Sequence, residues 1–249
     1  MHVLLANDDG IFAPGLRALA EAARAAGHRV RIFAPDSQRS AASHAITLTR
    51  PLHARRVEYD GMDAWAVDGT PADCVRLGLY LLRDDPVDFV LSGINRGSNR
   101  GGAILYSGTV AAAMEGSMCG TPGLAVSLCT NVDADYSAAA QLGVRVMEWA
   151  KDHPLPLGEV YNLNVPVGQA KGLRAAGVSH EFITRPEYVL QPDGGYGIGD
   201  GAPLFEDTDA NCDLRLTEAG YASLSVLTWN LMAKTPVPDV SGLEDAHEH

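Results

Sequence analysis

Apolar and polar positions alternate along the first two-thirds of the chain in a pattern of repeated strand–helix units. Residues 2–6, His-Val-Leu-Leu-Ala, form a short apolar run of the kind buried in a parallel sheet. From Pro14 the period changes: Leu16, Leu19, Ala20 and Ala23 recur at helical spacing up to Gly27. Val30-Arg31-Ile32-Phe33 reads as a second strand, completing a βαβ unit. Thr70-Pro71-Ala72-Asp73 predicts a helix start, with Thr70 as N-cap, Pro71 in the first turn and Asp73 at the capping-box position. Residues 87–91 read as a strand, 92–107 as a Gly/Ser/Asn-rich loop and 108–118 as a small-residue helix. A strand at 124–128, a helix at 136–151 and a strand at 160–165 continue the alternation. The pattern predicts an α/β fold, Rossmann-like and doubly wound, with a mainly parallel sheet.

The last third differs. Residues 172–234 hold β-like stretches at 174–178 and 222–229 around a glycine-rich segment, 194–201, and read as an antiparallel extension. Those glycines read as loop and not as a phosphate cradle, because no strand-then-helix context surrounds them. The predicted organisation is a core over 1–171, the extension over 172–234 and a fraying, Pro- and acid-rich tail over 235–249, beginning at Thr235.

Charge narrows the partners. The 249 residues include 19 basic and 31 acidic side chains, a formal net charge of −12. A nucleic-acid polymer needs a basic footprint to displace counterions, so none is expected. A small anion stays open, because one metal ion reverses the local potential. The four cysteines (Cys74, Cys119, Cys129 and Cys212) contain no C-x-x-C pair and read as free thiols in a reducing compartment. The opening apolar run is too short for a signal peptide and no later stretch is long enough to span a bilayer. A cytoplasmic protein with no membrane partner is therefore expected.

Ligands of doubly wound sheets bind beyond the carboxyl ends of the strands, and four polar clusters fall at such ends. Asn7-Asp8-Asp9-Gly10 follows the first strand; adjacent carboxylates repel unless a cation sits between them, although a capping or turn role also fits. The loop 34–44, Ala-Pro-Asp-Ser-Gln-Arg-Ser-Ala-Ala-Ser-His, offers hydroxyls to a hard cation or a phosphate oxygen, or ordinary turn chemistry. The loop 92–101 offers Asn95 as a neutral carbonyl ligand and Asn99 as a hydrogen-bonding amide. Tyr106-Ser107-Gly108-Thr109 opens a helix, where free N–H groups attract anions or Ser107 simply caps.

Taken in order, "NDDG", "APD…RS", "SGxNxGxN" and "YSGTV" resemble the SurE family of survival-protein nucleotidases. Further similarities are "GTPADCV" at 69–75, "NLNVP" at 162–166, and Thr208-Asp209 followed by Gly220-Tyr221, so the resemblance spans nearly the whole chain. It implies a Rossmann-like core whose antiparallel C-terminal extension joins a homodimer or homotetramer. It also implies hydrolysis of nucleoside 5′- and 3′-monophosphates with one divalent cation per subunit, Mg²⁺ or Mn²⁺ foremost. Carried over residue by residue, the metal ligands are Asp8, Asp9, Ser40 and Asn95. Where family members carry a "TPL"-like element this chain reads Ser225-Val226-Leu227, and His44 stands where members vary, so it receives no catalytic role.

The residues themselves agree with that chemistry. Two carboxylates, a hydroxyl and an amide oxygen make an all-oxygen set suited to a hard cation. Asp8 or Asp9 would orient the attacking water; Asn99, Ser107, the Gly108 N–H and Thr109 are the candidate phosphate contacts. Two rivals remain at this level: a haloacid-dehalogenase-like phosphatase, which usually shows D-x-D instead of adjacent aspartates, and a non-catalytic nucleotide-binding module. A dinucleotide-dependent oxidoreductase is disfavoured, since no G-x-G-x-x-G follows the first strand.

Overall fold

A computed structural model describes residues 1–181, 187–199, 201 and 206–230. One nine-stranded sheet organises the molecule. Its strands are β1 (His2–Ala6), β2 (Arg29–Pro35), β3 (Ala54–Val57), β4 (Asp63–Val67), β5 (Phe89–Arg96), β6 (Gly123–Leu128), β7 (Glu159–Val165), β8 (Leu173–Ala175) and, after a separate hairpin of β9 (Tyr188–Leu190) and β10 (Tyr196–Ile198), β11 (Ala222–Thr228). The spatial order is β3-β4-β2-β1-β5-β6-β7-β11-β8. Strands β4, β2, β1, β5, β6 and β7 are parallel to their neighbours, β3 is antiparallel to β4, and β11 is antiparallel to β7. The antiparallel C-terminal strands expected from the sequence are thus present, although β8 pairs parallel with β11.

From β1 the chain builds outward to β2 and β4, then returns to β5 on the other side and continues through β6 and β7. The order therefore reverses between β1 and β5, the place where doubly wound sheets open a binding crevice. Helices α1 (Pro14–Ala25) and α4 (Ser137–Lys151) pack together, as do α2 (Pro71–Leu81) and α3 (Gly108–Met118). Leu16, Leu19, Ala20 and Ala23 of α1 are all buried in one core cluster with Val3, Leu5 and Leu91. A Leu side chain fully removed from water contributes about 1.5–3 kcal/mol, so this stripe decides which face of α1 turns inward. On the other face Phe33 stacks on Trp65 with ring centroids 4.5 Å apart.

Helix α2 begins as its sequence predicts. Asp73 N–H donates to Thr70 Oγ1 at 3.1 Å and Thr70 N–H donates to Asp73 Oδ2 at 2.9 Å, a closed capping box. Three expectations are corrected. Tyr196–Ile198, within the glycine-rich segment 194–201 read as loop, is strand β10, antiparallel to β9. Residues 92–96 are strand and not loop, because Ser92 pairs with both β1 and β6 and the ladder satisfies a backbone whose composition suggested a loop. Residues 101–106 form a 3₁₀ turn before α3. Strands β3 and β4 were not expected from the sequence. The helix α5 (Asp213–Glu218) was also unexpected. The tail expected over 235–249 lies outside the described residues.

Candidate active site

Asp8 and Asp9 follow β1 at the reversal point, and the loops around them are tied down by backbone bonds. Arg39 N–H donates to the Asp8 carbonyl at 2.7 Å and Ile11 N–H to the Pro35 carbonyl at 2.8 Å, which holds the 36–44 loop against the aspartate turn. Arg96 N–H donates to Asp9 Oδ2 at 3.0 Å, which ties Asp9 to the end of β5 beside Asn95. The β5–β6 register slips between Ser92 and Asn95, a bulge of the kind that re-aims a side chain. Gly93, at φ +140°, is required there: a Cβ would stand 2.4 Å from the Val126 carbonyl oxygen.

Asp8 is only 5% exposed. Burial pushes its carboxyl up to about 6; the Thr109 hydroxyl, which donates to Asp8 Oδ1, offsets part of that, and the Asp9 charge adds to it. Asp9 is raised too, chiefly by burial, against the opposing Arg96 N–H. Among the described residues neither carboxylate is ion-paired with a Lys, Arg or His side chain, and no cluster of three His, Cys, Asp or Glu side chains is present, at this site or elsewhere. Two adjacent carboxylates, Asp8 buried and Asp9 half-buried, both held at raised pKa, fit a divalent cation, which would favour their charged forms, with Asn95 and Ser40 as neutral oxygen donors. Ser40 is exposed and its Oγ accepts from Gln38 Nε2 at 2.8 Å; Asn95 Nδ2 donates to the Gly97 carbonyl at 2.8 Å, leaving its carbonyl oxygen as the donor to a cation.

The four candidate phosphate contacts converge less uniformly. Ser107 caps α3, its Oγ accepting from Val110 N–H at 3.0 Å. Gly108 lies against the aspartates: a Cβ would stand 2.8 Å from Asp8 Cβ and 2.9 Å from Pro71 Cγ. Thr109, fully buried, spends its hydroxyl on Asp8. Asn99 is 5% exposed and sits in an amide network with β7. Its N–H donates to Asn164 Oδ1 at 2.8 Å, its carbonyl accepts from Asn162 Nδ2 at 2.9 Å and Asn164 Nδ2 at 3.0 Å, and its Nδ2 donates to Ser127 Oγ at 2.7 Å.

With this geometry in place, comparison with known proteins becomes informative. The family described as "Survival protein SurE" matches residues 3–185. The chain belongs to the SurE family. A relative from Geotalea daltonii, named "5′-nucleotidase SurE", is 48% identical over 238 residues, covering 93% of this chain and 94% of that one. A second of that name, from Trichormus variabilis, is 46% identical over 266 residues, with 97% of both chains covered. The crystal structure of the SurE protein from Aquifex aeolicus superposes with a TM-score of 0.83 at 32% identity, covering 98% of this chain and all of that one.

Several residues of this SurE-family site escape a reading of the sequence. Glu115 of α3, almost fully buried, holds His44 Nε2 at 2.7 Å and Arg76 Nη1 at 2.7 Å. Burial pushes its carboxyl up, but those two partners outweigh burial and leave it below the ordinary value. The clamp, with the Ser43 hydroxyl donating to the Leu105 carbonyl at 2.7 Å, fixes the far end of the Ser40 loop. His44 thus acts as an anchor. The only sequence signal for Glu115 was a lone acid in an otherwise apolar helix.

Proposed function

We propose that the chain is a divalent-metal-dependent phosphomonoesterase that hydrolyses nucleoside 5′-monophosphates, and 3′-monophosphates as well, to nucleoside and phosphate. The observation that carries this reading is the Asp8–Asp9 pair, one carboxylate buried and the other half-buried, at the sheet's reversal point, facing the start of α3. The relatives' printed name supports the nucleotidase part of it. A groove of about 300 Å³ beside Ser107, lined by His44, Leu105, Met114 and Trp229 among others, offers the base of a nucleoside a largely apolar surface to pack on.

Asp8, Asp9, Asn95 and Ser40 would hold the cation. When bound, the ion supplies Lewis-acid stabilisation of phosphoryl charge and lowers the pKa of a bound water. The chain's own residues do the rest. The Thr109 hydroxyl keeps Asp8 charged and oriented. Asp9, fixed by the Arg96 N–H, or Asp8 accepts a hydrogen bond from the attacking water. The Gly108 N–H at the start of α3, with the Ser107 hydroxyl, faces the phosphoryl oxygens, where preorganised donors matter most. Asn99 adds its amide at the edge of the same loop.

We extend the reading to a cytoplasmic homodimer or homotetramer. The free cysteines support the compartment, and the exposed Tyr188, Leu190, Tyr196 and Ile198 of the hairpin support assembly. Among the described residues no helix is long and apolar enough to cross a membrane. The test is phosphate release from a panel of phosphorylated compounds, each with and without added Mg²⁺ or Mn²⁺. The expected result is metal-dependent release that prefers nucleoside monophosphates. Trapping of an aspartyl-phosphate would favour a haloacid-dehalogenase-like enzyme, and nucleotide binding without release a non-catalytic module.

A further inference from the structure

The segment 99–101 leads from the end of β5 into the turn before α3, and its backbone is held by side chains from distant parts of the chain. Asn162 and Asn164 of β7 hold Asn99, as described above. The next residues hang on α5. Gly101 N–H donates to Asp213 Oδ2 at 2.9 Å, and Arg100 Nη1 donates to Thr217 Oγ1. Asp213 is completely buried and its other oxygen, Oδ1, accepts Ser179 N–H at 2.9 Å and Leu214 N–H at 2.8 Å. A buried carboxylate is tolerated where charge-assisted N–H bonds replace its water, and all three donors here are backbone amides. Such an arrangement fixes backbone position and offers no free oxygen for chemistry.

We propose that Asp213 is a positioning residue for the phosphate-binding side of the site: through Gly101 it sets the path of the segment that carries Asn99 and delivers Ser107 and Gly108 to the aspartates. This rests on the phosphomonoesterase reading. It assigns the C-terminal region a part in catalysis within the same subunit, separate from any part in assembly. Asp213 has no contact with Asp8, Asp9 or the Ser40 loop, so its loss should spare metal binding and cost turnover.

Asparagine is the informative replacement, because one amide cannot accept at both oxygens: its NH₂ group must face either Gly101 N–H or the Ser179 and Leu214 N–H groups. In Asp213→Asn we expect kcat to fall roughly 10- to 100-fold, as displacement of about 1 Å does elsewhere. Inhibition by inorganic phosphate should weaken with it, while the Mn²⁺ concentration giving half-maximal activity stays unchanged. Thr217→Val, which removes the Arg100 contact together with the hydroxyl's bonds to the Asp213 and Leu214 carbonyls but leaves the Asp213 carboxylate and its bond to Gly101 in place, should move the same parameters in the same direction by less. In the wild-type full chain, amide hydrogen exchange at Gly101 should be as slow as in β7. That readout needs neither turnover nor a variant, so it judges the brace even if the wild-type protein releases no phosphate and the functional reading fails. The proposal is overturned by wild-type kcat in folded Asp213→Asn. It is equally overturned by loss of metal and phosphate response in parallel with melting temperature, or by Gly101 exchange as fast as in an open loop.

Discussion

The parallel sheet up to β6 and the region from β7 onward contribute to the site in opposite ways. In the parallel half, each chemical group lies within a few residues of the strand or helix end that delivers it: Asp8 and Asp9 after β1, Ser40 after β2, Asn95 at the end of β5, Ser107 before α3. From β7 onward, none of the described residues bonds to Asp8, Asp9, Ser40 or Asn95, although Trp229 lines the groove beside Ser107. Instead Asn162 and Asn164 of β7, and Asp213 beyond it, bond to the backbone of a loop that lies 63 to 112 positions earlier in the chain. The first region supplies functional groups and the second supplies their geometry. A site of this kind is damaged from either side, but different measured quantities change.

The largest effect should come from the first region. Asp8→Asn keeps the packing and can still accept from Thr109, yet removes a charged ligand, so turnover should drop by roughly 10²-fold or more with the fold intact. Circular dichroism and steady-state kinetics together check this, and turnover equal to wild type would contradict the assignment.

That contrast also explains what could be read from the sequence. The strand–helix order, the α2 capping box and the four clusters depend on short-range patterns: the period of apolar residues, a Thr-Pro-x-Asp start, paired carboxylates after a strand. Residues 92–96 were misread because Ser, Gly and Asn suggest loop, while flanking strands on both sides impose a ladder. Asp213 could not be found, because its role depends on α5 meeting residue 101, a tertiary contact with no local signature. The family-like Thr208-Asp209 lies in a surface turn, where Asp209 N–H donates to Asp207 Oδ1, while the buried acid of this region is Asp213.

Gly108→Ala comes next in size. The added Cβ would press on Asp8 Cβ and Pro71, neither of them a free side-chain end, so Asp8 itself must move. Both melting temperature and activity should fall, with metal affinity weakened, which isothermal titration with Mn²⁺ would show. Unchanged metal affinity would separate Gly108 from the aspartate site.

Thr109→Val tests the electrostatics more finely. The hydroxyl stabilises the charged Asp8, whose carboxyl stands at about 6, above its ordinary 3.8. Removing the donor should raise it further, shifting the acid limb of the pH–activity profile to higher pH. The sign for stability follows from the same shift. A raised carboxyl binds protons more readily in the folded state, so its contribution is complete below about 3.8 and is lost as pH rises through about 6. Metal-free protein should therefore lose this increment between those values, as thermal unfolding across the range would reveal. An acid limb that does not move would remove Asp8 from the rate law.

The smallest effect on chemistry belongs to the second region's surface. Ile198→Asp, at an 89% exposed hairpin position, should leave phosphate release per subunit near wild type and reduce the assembled mass seen by light scattering. Unchanged mass would move the subunit contact away from the hairpin.

The central claim is that Asp8 and Asp9 act through a divalent ion on a nucleoside monophosphate. The most direct test is phosphate release by protein stripped of metal, verified by elemental analysis, and then titrated with Mn²⁺ or Mg²⁺. The account predicts negligible release from the stripped protein and saturable recovery on adding the ion, with recovery abolished in Asp8→Asn. Full turnover by the stripped protein would contradict it.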